Sequence, residues 1–560
     1  MPAVVDQAAD EISNYFQDYK SEGNNSIDLE NKLWDSGLKL SLIYLIYAFI
    51  SGLFLFLTRQ SIIVMSRNIE YDLKNEIFDH YQSLSMSFFK KNNTGDLMNR
   101  ISEDVGKVRM YLGPAIMYTL NVLVLFIMVI TFMFNKNTTL TLYVLTPLPI
   151  LSFIIYKISF IINKKSEKTQ QQQSLLSTFV QEAFSGIRVL KAYNREHYFQ
   201  DNFKNETENY KRASLSLAFV NSFFLPAIVL LIGLSTILTI YIGGIKTINK
   251  EIDYGDILQF VFYINLLTWP FASIGWVTSL IQRAAASQKR INEFLIQNEK
   301  IENLNYKDEI GTINSISFNK VFFEYDQTNI KALDDISFHL KKGQTLGIIG
   351  RTGSGKSTIA NLICRLYDVQ NGKIKINSKD IQSLNLFNIR AKIGYVPQDV
   401  FLFSDTIKNN ILFALENDKV SENEVINAAK QAQIHEDIML FPDNYDTKIG
   451  ERGITLSGGQ KQRISIARAL IRKPEVLILD DCLSAVDTET ENKILKNLYS
   501  NIKSNISVII GHRISSVSSA NQIIVLEKGC IIEEGNHTDL IQKRGYYFEI
   551  HQKQLMEKKQ

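Results

Sequence analysis

Five runs of about twenty apolar residues each fall in the first half of the chain and restrict its fold more tightly than anything else in the sequence. They extend from about Leu38 to Leu57, Tyr111 to Phe134, Leu140 to Ile162, Leu215 to Ile242 and Ile257 to Ile281, none with an acidic residue and few with a lysine or arginine. A helix satisfies its own backbone groups, so such runs predict an all-α bundle that crosses a bilayer. Buried helices of a large soluble core are the alternative, and five such runs in one chain weigh against it. The 560 residues suffice for two or three domains. The near-zero mean hydropathy averages this greasy half with a water-soluble second one. A net charge of +3 lacks the basic excess that would point to a nucleic-acid partner.

Lysines and arginines set the orientation. The stretch between the first two runs holds eight, from Arg59 to Arg109, and that between the third and fourth holds nine, from Lys164 to Arg212, so both should be cytoplasmic. The short loop at Lys136 and the segment Gly243 to Asp256 should face outward. Five spans ending inside leave Met1 outside. Residues Met1 to Ser36 are acidic, lack a secretory leader pattern and read as an outer loop, so the economical expectation is that a preceding span is missing. Both cytoplasmic stretches keep helical patterning, as in Ile69 to Phe78, and should continue the spans as long stalks. The stalks should turn near Gly95-Asp96 and within Tyr193 to Phe203, at tips that could dock on the second half. Cys364, Cys482 and Cys530 all lie in that second half, with no disulfide framework and no paired metal-ligand spacing.

A polar stretch near Gln297 separates a membrane domain, 1–296, from a linker, 297–312, and a nucleotide domain, 313–560. Leu346 to Ile349 reads as a strand that runs into Gly350, Arg351, Thr352, Gly353, Ser354, Gly355, Lys356, Ser357 and Thr358, and Ile359 to Leu366 reads as a helix. Strand, glycine loop and helix in that order are what a phosphate cradle needs. Glycines turn backbone N–H groups inward, the helix N-terminus adds positive potential, Lys356 reaches the outer phosphates and Ser357 can ligate Mg²⁺. Val476 to Asp480 has the form of a buried parallel strand that delivers a carboxylate to its C-terminal edge, where Asp480 would hold the metal. Leu456, Ser457, Gly458, Gly459 and Gln460 open a second helix N-terminus suited to an anion. One domain already has its cradle at Lys356, so this second site makes best sense against a phosphate held by a partner subunit.

In this order the motifs resemble the ATP-binding cassette (ABC) exporters, over nearly the whole chain. The resemblance implies that Tyr325 stacks on adenine, Gly350 to Thr358 is the Walker A loop, Gln398 is the Q-loop glutamine and a metal ligand, and Glu451 precedes the signature Leu456 to Gln460. It further implies that Asp480 is the Walker B carboxylate, Asp481 holds the general-base position, Ser484 to Asp487 is the D-loop and His512 is the switch histidine. Arg67 to Leu112 and Gln181 to Phe203 look like the family's two cytoplasmic loops. The implied fold is multidomain, an all-α transmembrane helical bundle followed by an α/β P-loop ATPase. ATP and Mg²⁺ are the implied cofactors, and a second half-transporter and the lipid bilayer the implied partners. The place is the cell (inner) membrane, multi-pass, with the nucleotide domain in the cytoplasm. Taken singly, Tyr325 could be a half-buried strand aromatic, Gln398 a turn residue and His512 structural.

Two departures matter. Asp481 stands where the family expects glutamate, one methylene short of the attacking water, and a displacement of about 1 Å can cost on the order of a hundredfold in rate. Such an aspartate resembles the weak site of exporters with two different subunits, so a heterodimer is expected, with a slowly hydrolysing homodimer as the alternative. The absent first span is the second departure. Rival readings are a soluble cassette ATPase acting on nucleic acid, and a regulatory subunit or nucleotide-gated channel with little transport of its own. The cargo is unread beyond a hydrophobic or amphiphilic small molecule, drug or lipid. Asn221, Asn265, Trp269 and Trp276 could line its path or serve only helix packing.

Overall fold

The computed structural model describes residues 26–298, 301, 303, 310–326, 328–415, 420–450, 456–501 and 505–557. It divides into two compact units: the chain up to Gln82 with Gly95–Gln297, and Ser83–Thr94 with Asn298–Gln560.

Among the described residues of the first unit, four helices are long and apolar enough to cross a membrane: Gly37–Ser83, Thr94–Lys136, Glu196–Ile248 and Tyr254–Leu295. The 47 residues of the first would reach about 70 Å at 1.5 Å per residue, well past a hydrocarbon core. The run Leu140 to Ile162 is helical but shared between Thr138–Leu145 and Pro147–Ser185, with a turn at Thr146 where prolines 147 and 149 withhold their N–H groups. Helix already begins at Ser26, so Ser26 to Ser36 is not the outer loop its charge suggested, and the rest of that segment lies outside the described residues. The first cytoplasmic turn is also displaced. Gly95 and Asp96 sit inside the helix Thr94–Asn99, and the chain turns earlier, around the short helix Met86–Lys91. The second turn falls at Tyr193 to Arg195, as the pattern suggested.

Val129, Met133, Leu140, Ile228, Phe260, Ile264 and Leu267 form the unit's apolar core. Gly37–Ser83 instead leaves its most apolar stretch entirely unburied, as a surface meant for lipid or other helices should be. Thr94–Lys136 widens into π-helical turns at Arg100–Asp104 and Tyr111–Ala115, the second around Pro114. The first turn places buried Asp104 where it accepts from Ser287 Oγ at 2.8 Å and Arg290 Nε at 3.0 Å, pinning two long helices together.

The second unit carries two sheets. The antiparallel one has the order β2-β1-β4-β5, formed by β1 (Ser315–Tyr325), β2 (Ile330–Lys341), β4 (Asn371–Ile376) and β5 (Lys379–Asp380). The larger one has the order β10-β9-β3-β8-β7-β6. Its strands are β3 (Thr345–Gly350), β6 (Ile393–Val396), β7 (Val476–Asp480), β8 (Ile506–Ile510), β9 (Gln522–Glu527) and β10 (Cys530–Gly535). β3, β7 and β8 are buried along their whole length, as Leu/Ile/Val-rich parallel strands covered on both faces should be. Pairings Ile348↔Ile510, Asp480↔Ile510 and Val396↔Leu479 bring the C-terminal ends of β3, β8, β7 and β6 to one edge.

Arg468, on the helix Gly458–Ile471, ties that helix to the loop beyond β6. It donates to Asn410 O at 2.7 Å, Phe401 O at 2.9 Å and Asn410 Oδ1 at 2.8 Å, and lies against the rings of Phe403 and Phe413. Burial lowers its pKa to about 10, still protonated at neutral pH. Arg468→Ala should remove this donor from Asn410 O and Phe401 O and strip the aromatic packing, at a cost of about 2–3 kcal/mol. A melting temperature of the purified chain within one degree of wild type would contradict that.

Candidate functional site

Everything at the shared sheet edge grows from β3. The chain leaves it at Gly350, where a Cβ would stand 2.2 Å from Leu526 O, and turns through Gly355 at φ +99°, where a Cβ would stand 2.2 Å from Ala332 O. Side chains cannot be accommodated at either point, which is the physical reason for glycine at both ends of the loop. The helix Lys356–Ile363 then starts directly from Gly355, with its first N–H groups toward the loop. Lys356 is buried and folds its Nζ back onto Gly350 O and Arg351 O, both at 2.9 Å. Burial lowers its pKa, while Asp481 and Asp480 oppose that shift. Ser354 Oγ is buried with no hydrogen-bond partner among the described residues. A hydroxyl so placed at the centre of a glycine loop fits an acceptor that arrives from outside, such as a phosphate oxygen.

The next strands supply the acids. Asp480, at the end of β7, is buried and accepts from Ser357 Oγ at 3.0 Å. Burial raises its pKa and neighbouring Asp481 adds to the shift, against the Ser357 hydrogen bond and Lys356. Hydroxyl and carboxylate oxygens of this kind suit Mg²⁺, which takes one or two protein oxygens beside the phosphates of its substrate. Asp481 sits in the left-handed region at φ +46°, its N–H held by Ile510 O at 2.9 Å. Burial pushes its carboxyl pKa up, with His512, Lys356 and Arg513 pulling the other way. Gln398, just past β6, donates from Nε2 to Asp481 Oδ2 at 3.4 Å, and His512 Nε2, just past β8, lies 3.9 Å from the same oxygen. Lys356, Ser357, Gln398, Asp480, Asp481 and His512 are therefore gathered at one place.

Tyr325 closes the other side. From the end of β1 its hydroxyl meets Thr358 Oγ1 at 3.1 Å, and its ring packs edge-on to Phe323 and Tyr367. Lys90, from the segment Ser83–Thr94 of this same unit, holds its ammonium 4.6 Å from the Tyr325 ring centroid and 5.5 Å from that of Tyr367. A cavity of about 210 Å³ between them is lined by Ser85, Phe323, Tyr325, Tyr367 and Asp368 among others. Sequence reading missed both Lys90 and Tyr367. Lys90 lies in the other half of the sequence from Tyr325, and the only signal was that a cytoplasmic tip might dock.

The signature turn is held by different partners. Ser457 and Gln460 cap each other reciprocally, with Ser457 Oγ accepting from Gln460 N at 3.2 Å and Gln460 Oε1 accepting from Ser457 N at 3.0 Å. Gln460 Nε2 also reaches Asp437 at 3.4 Å, Leu456 is buried, and Ser457 and Gly458 are exposed. The turn thus faces outward at Ser457 and Gly458 while its capping box holds it in place. Glu451 lies outside the described residues.

Comparison with known proteins gives concordant results. The family "ABC transporter transmembrane region" matches residues 10–271 and "ABC transporter" matches residues 333–484. The chain is 36% identical over 490 residues to the probable multidrug resistance ABC transporter ATP-binding/permease protein YheI of Bacillus subtilis, covering 87% of this chain and 83% of that one. It is 35% identical over 483 residues to the multidrug resistance-like ATP-binding protein MdlA of Escherichia coli, covering 86% and 81%. It is 33% identical over 496 residues to the ATP-dependent lipid A-core flippase of Syntrophus aciditrophicus, covering 88% and 85%. A solved bacterial Atm1-family ABC exporter with ATP bound superposes with a TM-score of 0.79 at 25% identity, covering 99% of this chain and 95% of that one.

The loop's shape is testable on its own. Gly355→Ala forces both a positive φ and a collision with Ala332 O, so a fluorescent ATP analogue should bind about five- to a hundredfold more weakly, for about 1–3 kcal/mol of backbone strain. Unchanged affinity would show that the loop relaxes without loss.

Proposed function

Since the chain belongs to the ATP-binding cassette transporters, with that family's transmembrane region and its nucleotide-binding domain, we propose that it is one half of a dimeric exporter that moves a hydrophobic or amphiphilic small molecule or lipid outward. ATP hydrolysis coupled to transport is the chemistry of this family. The observation that most supports the reading is the gathering of Lys356, Ser357, Asp480, Asp481, Gln398 and His512 at one sheet edge, beside a buried serine hydroxyl without a partner. Relatives named for multidrug resistance and for lipid A-core flipping favour a cargo of that class.

The residues divide the work by position. Loop N–H groups and Lys356 hold the phosphates, and release of Lys356 from Gly350 O and Arg351 O frees its ammonium for them. Tyr325 offers its ring to the base. When Mg²⁺ accompanies the nucleotide, Ser357, Asp480 and Gln398 are the groups that would hold it, and its charge offsets that of the phosphates. Asp481 takes a proton from the attacking water, and His512, 3.9 Å from the same carboxylate, helps to orient it. The turn Leu456 to Gln460, exposed at Ser457 and Gly458, covers the nucleotide of the partner, so that binding draws the two cassettes together.

Asp481 makes the chain's own site the slow one, and the partner is a different half-transporter bearing glutamate there. Asp481→Glu should raise the ATPase rate of the purified single chain at least about tenfold, toward the hundredfold that roughly 1 Å of misplacement can cost. Brisk hydrolysis by the unaltered chain alone, no slower than the variant, would remove the asymmetric reading and leave a homodimer.

The raised carboxyl pKa adds a pH signature. Asp481 acts as a base only when deprotonated, so turnover should fall off on the acid side at a pH above the ordinary aspartate range. A pH–rate profile flat down to the usual aspartate pKa would contradict this assignment.

A further inference from the structure

Outside the nucleotide site, a concavity lined by three basic side chains lies in the first unit between the helices Pro147–Ser185 and Glu196–Ser222. It has a volume of about 510 Å³ and is lined by Lys165, Lys168, Gln172, Asn209, Arg212, Ala213 and Ser216. The two helices run antiparallel, and a hydrogen bond from Lys165 Nζ to Ser216 Oγ sets their register. Positions 165, 168 and 172 on one helix and 209, 212 and 216 on the other repeat the i, i+3, i+7 spacing, so one polar stripe faces another over about 10 Å. Three cations and two amides thus converge, and no carboxylate lines the space. Glu208 pairs with Lys211 and reaches Arg212 at 3.4 Å, whereas Lys165 and Lys168 form no ion pair among the described residues. Cations left uncompensated around a concavity mark it for an anion with several acceptor oxygens.

The depth of the groove selects among anions. Lys165 comes three residues after the apolar run that ends at Ile162, and Ser216 lies at the start of the one beginning at Leu215, which is headgroup level for helices that cross a bilayer. One turn further toward the apolar side the same stripes continue into Ile161 and Phe219, and a second turn on into Phe223; the three are 42%, 67% and 54% exposed. Polar lining followed by bare hydrocarbon along the same two helices matches one kind of molecule. We propose that this groove binds the phosphate headgroup of an anionic phospholipid of the cytoplasmic leaflet, its acyl chains lying along Ile161, Phe219 and Phe223. The site is independent of the cargo and of the nucleotide chemistry.

The test uses the full chain in detergent, titrated with phosphatidylglycerol, phosphatidylcholine or inorganic phosphate, and reads lipid retention by native mass spectrometry. Phosphatidylglycerol should be retained in preference to phosphatidylcholine, more weakly as salt is raised. Lys165→Gln with Lys168→Gln should weaken retention about thirtyfold, at about fivefold per basic side chain at a charged membrane surface. Lys168→Arg, which keeps the charge, should retain it, and this single pair of variants at Lys168 serves if the double one does not accumulate. ATP-analogue binding should stay at the wild-type level throughout. Equal retention of both lipids, or wild-type retention of phosphatidylglycerol by Lys168→Gln and the double variant, would overturn the proposal. Displacement of the lipid by millimolar inorganic phosphate would assign the groove to a soluble phosphate and overturn the lipid as occupant.

Discussion

Parallel pairing of four buried strands is the constraint on which the rest of the nucleotide unit depends. β3, β8, β7 and β6 point the same way, so whatever follows each strand emerges at the same edge. One strand contributes the glycine loop, one His512, one the two aspartates and one Gln398. None of these groups has to be brought across the domain. Their separations of 3.0 to 3.9 Å follow from strand spacing and register, and the apolar burial that fixes the register therefore also fixes the chemistry.

That dependence explains what could be read from the sequence. The runs Leu346–Ile349, Val476–Leu479 and Val508–Ile510 are apolar segments, a pattern that a strand covered on both faces must show, and they are followed by Gly350, Asp480 and Gly511-His512. Strand and site were thus encoded in the same few residues. Lys90 and Tyr367 carry no such signature. Lys90 is one lysine of a basic stretch that has to be cytoplasmic in any case, and its place beside Tyr325 is decided by how Ser83–Thr94 packs within the second unit. The first stalk's turn was misplaced for a related reason. Gly95-Asp96 stands at the midpoint of the basic stretch, yet glycine near a helix start costs little, and the chain breaks at Leu84-Ser85 and again at Asn92-Asn93, on either side of Met86–Lys91.

In the membrane unit, apolar periodicity gave the helices but could not distinguish a surface for lipid from a surface for other helices, because both are satisfied by the same side chains. Polar residues do distinguish them. Asp104 is placed by a π-turn that no hydropathy profile reveals, and it locks Thr94–Lys136 to Tyr254–Leu295 through Ser287 and Arg290. The basic stripe Lys165, Lys168 and Arg212 was likewise legible only as a positive-inside signal until the register of its two helices faced one stripe with the other.

Asp481 shows how far one methylene can be compensated. Its backbone is held at φ +46°, a conformation that costs a side-chain-bearing residue of order 1 kcal/mol, and it is paid for by the hydrogen bond to Ile510 O that continues the sheet. The side chain leaves this corner in a direction fixed by the strand, so a shorter carboxylate cannot recover reach by shifting along β7, whose register is locked on both sides by β6 and β8. Gln398 and His512 both approach the same oxygen, Oδ2, and hold the carboxylate back against the protein. On the proposed reading, the features that organise the site are also what keep aspartate from reaching as glutamate would. Such a cassette, on that same reading, holds nucleotide for long periods and offers the turn capped by Ser457 and Gln460 to a nucleotide bound by another subunit.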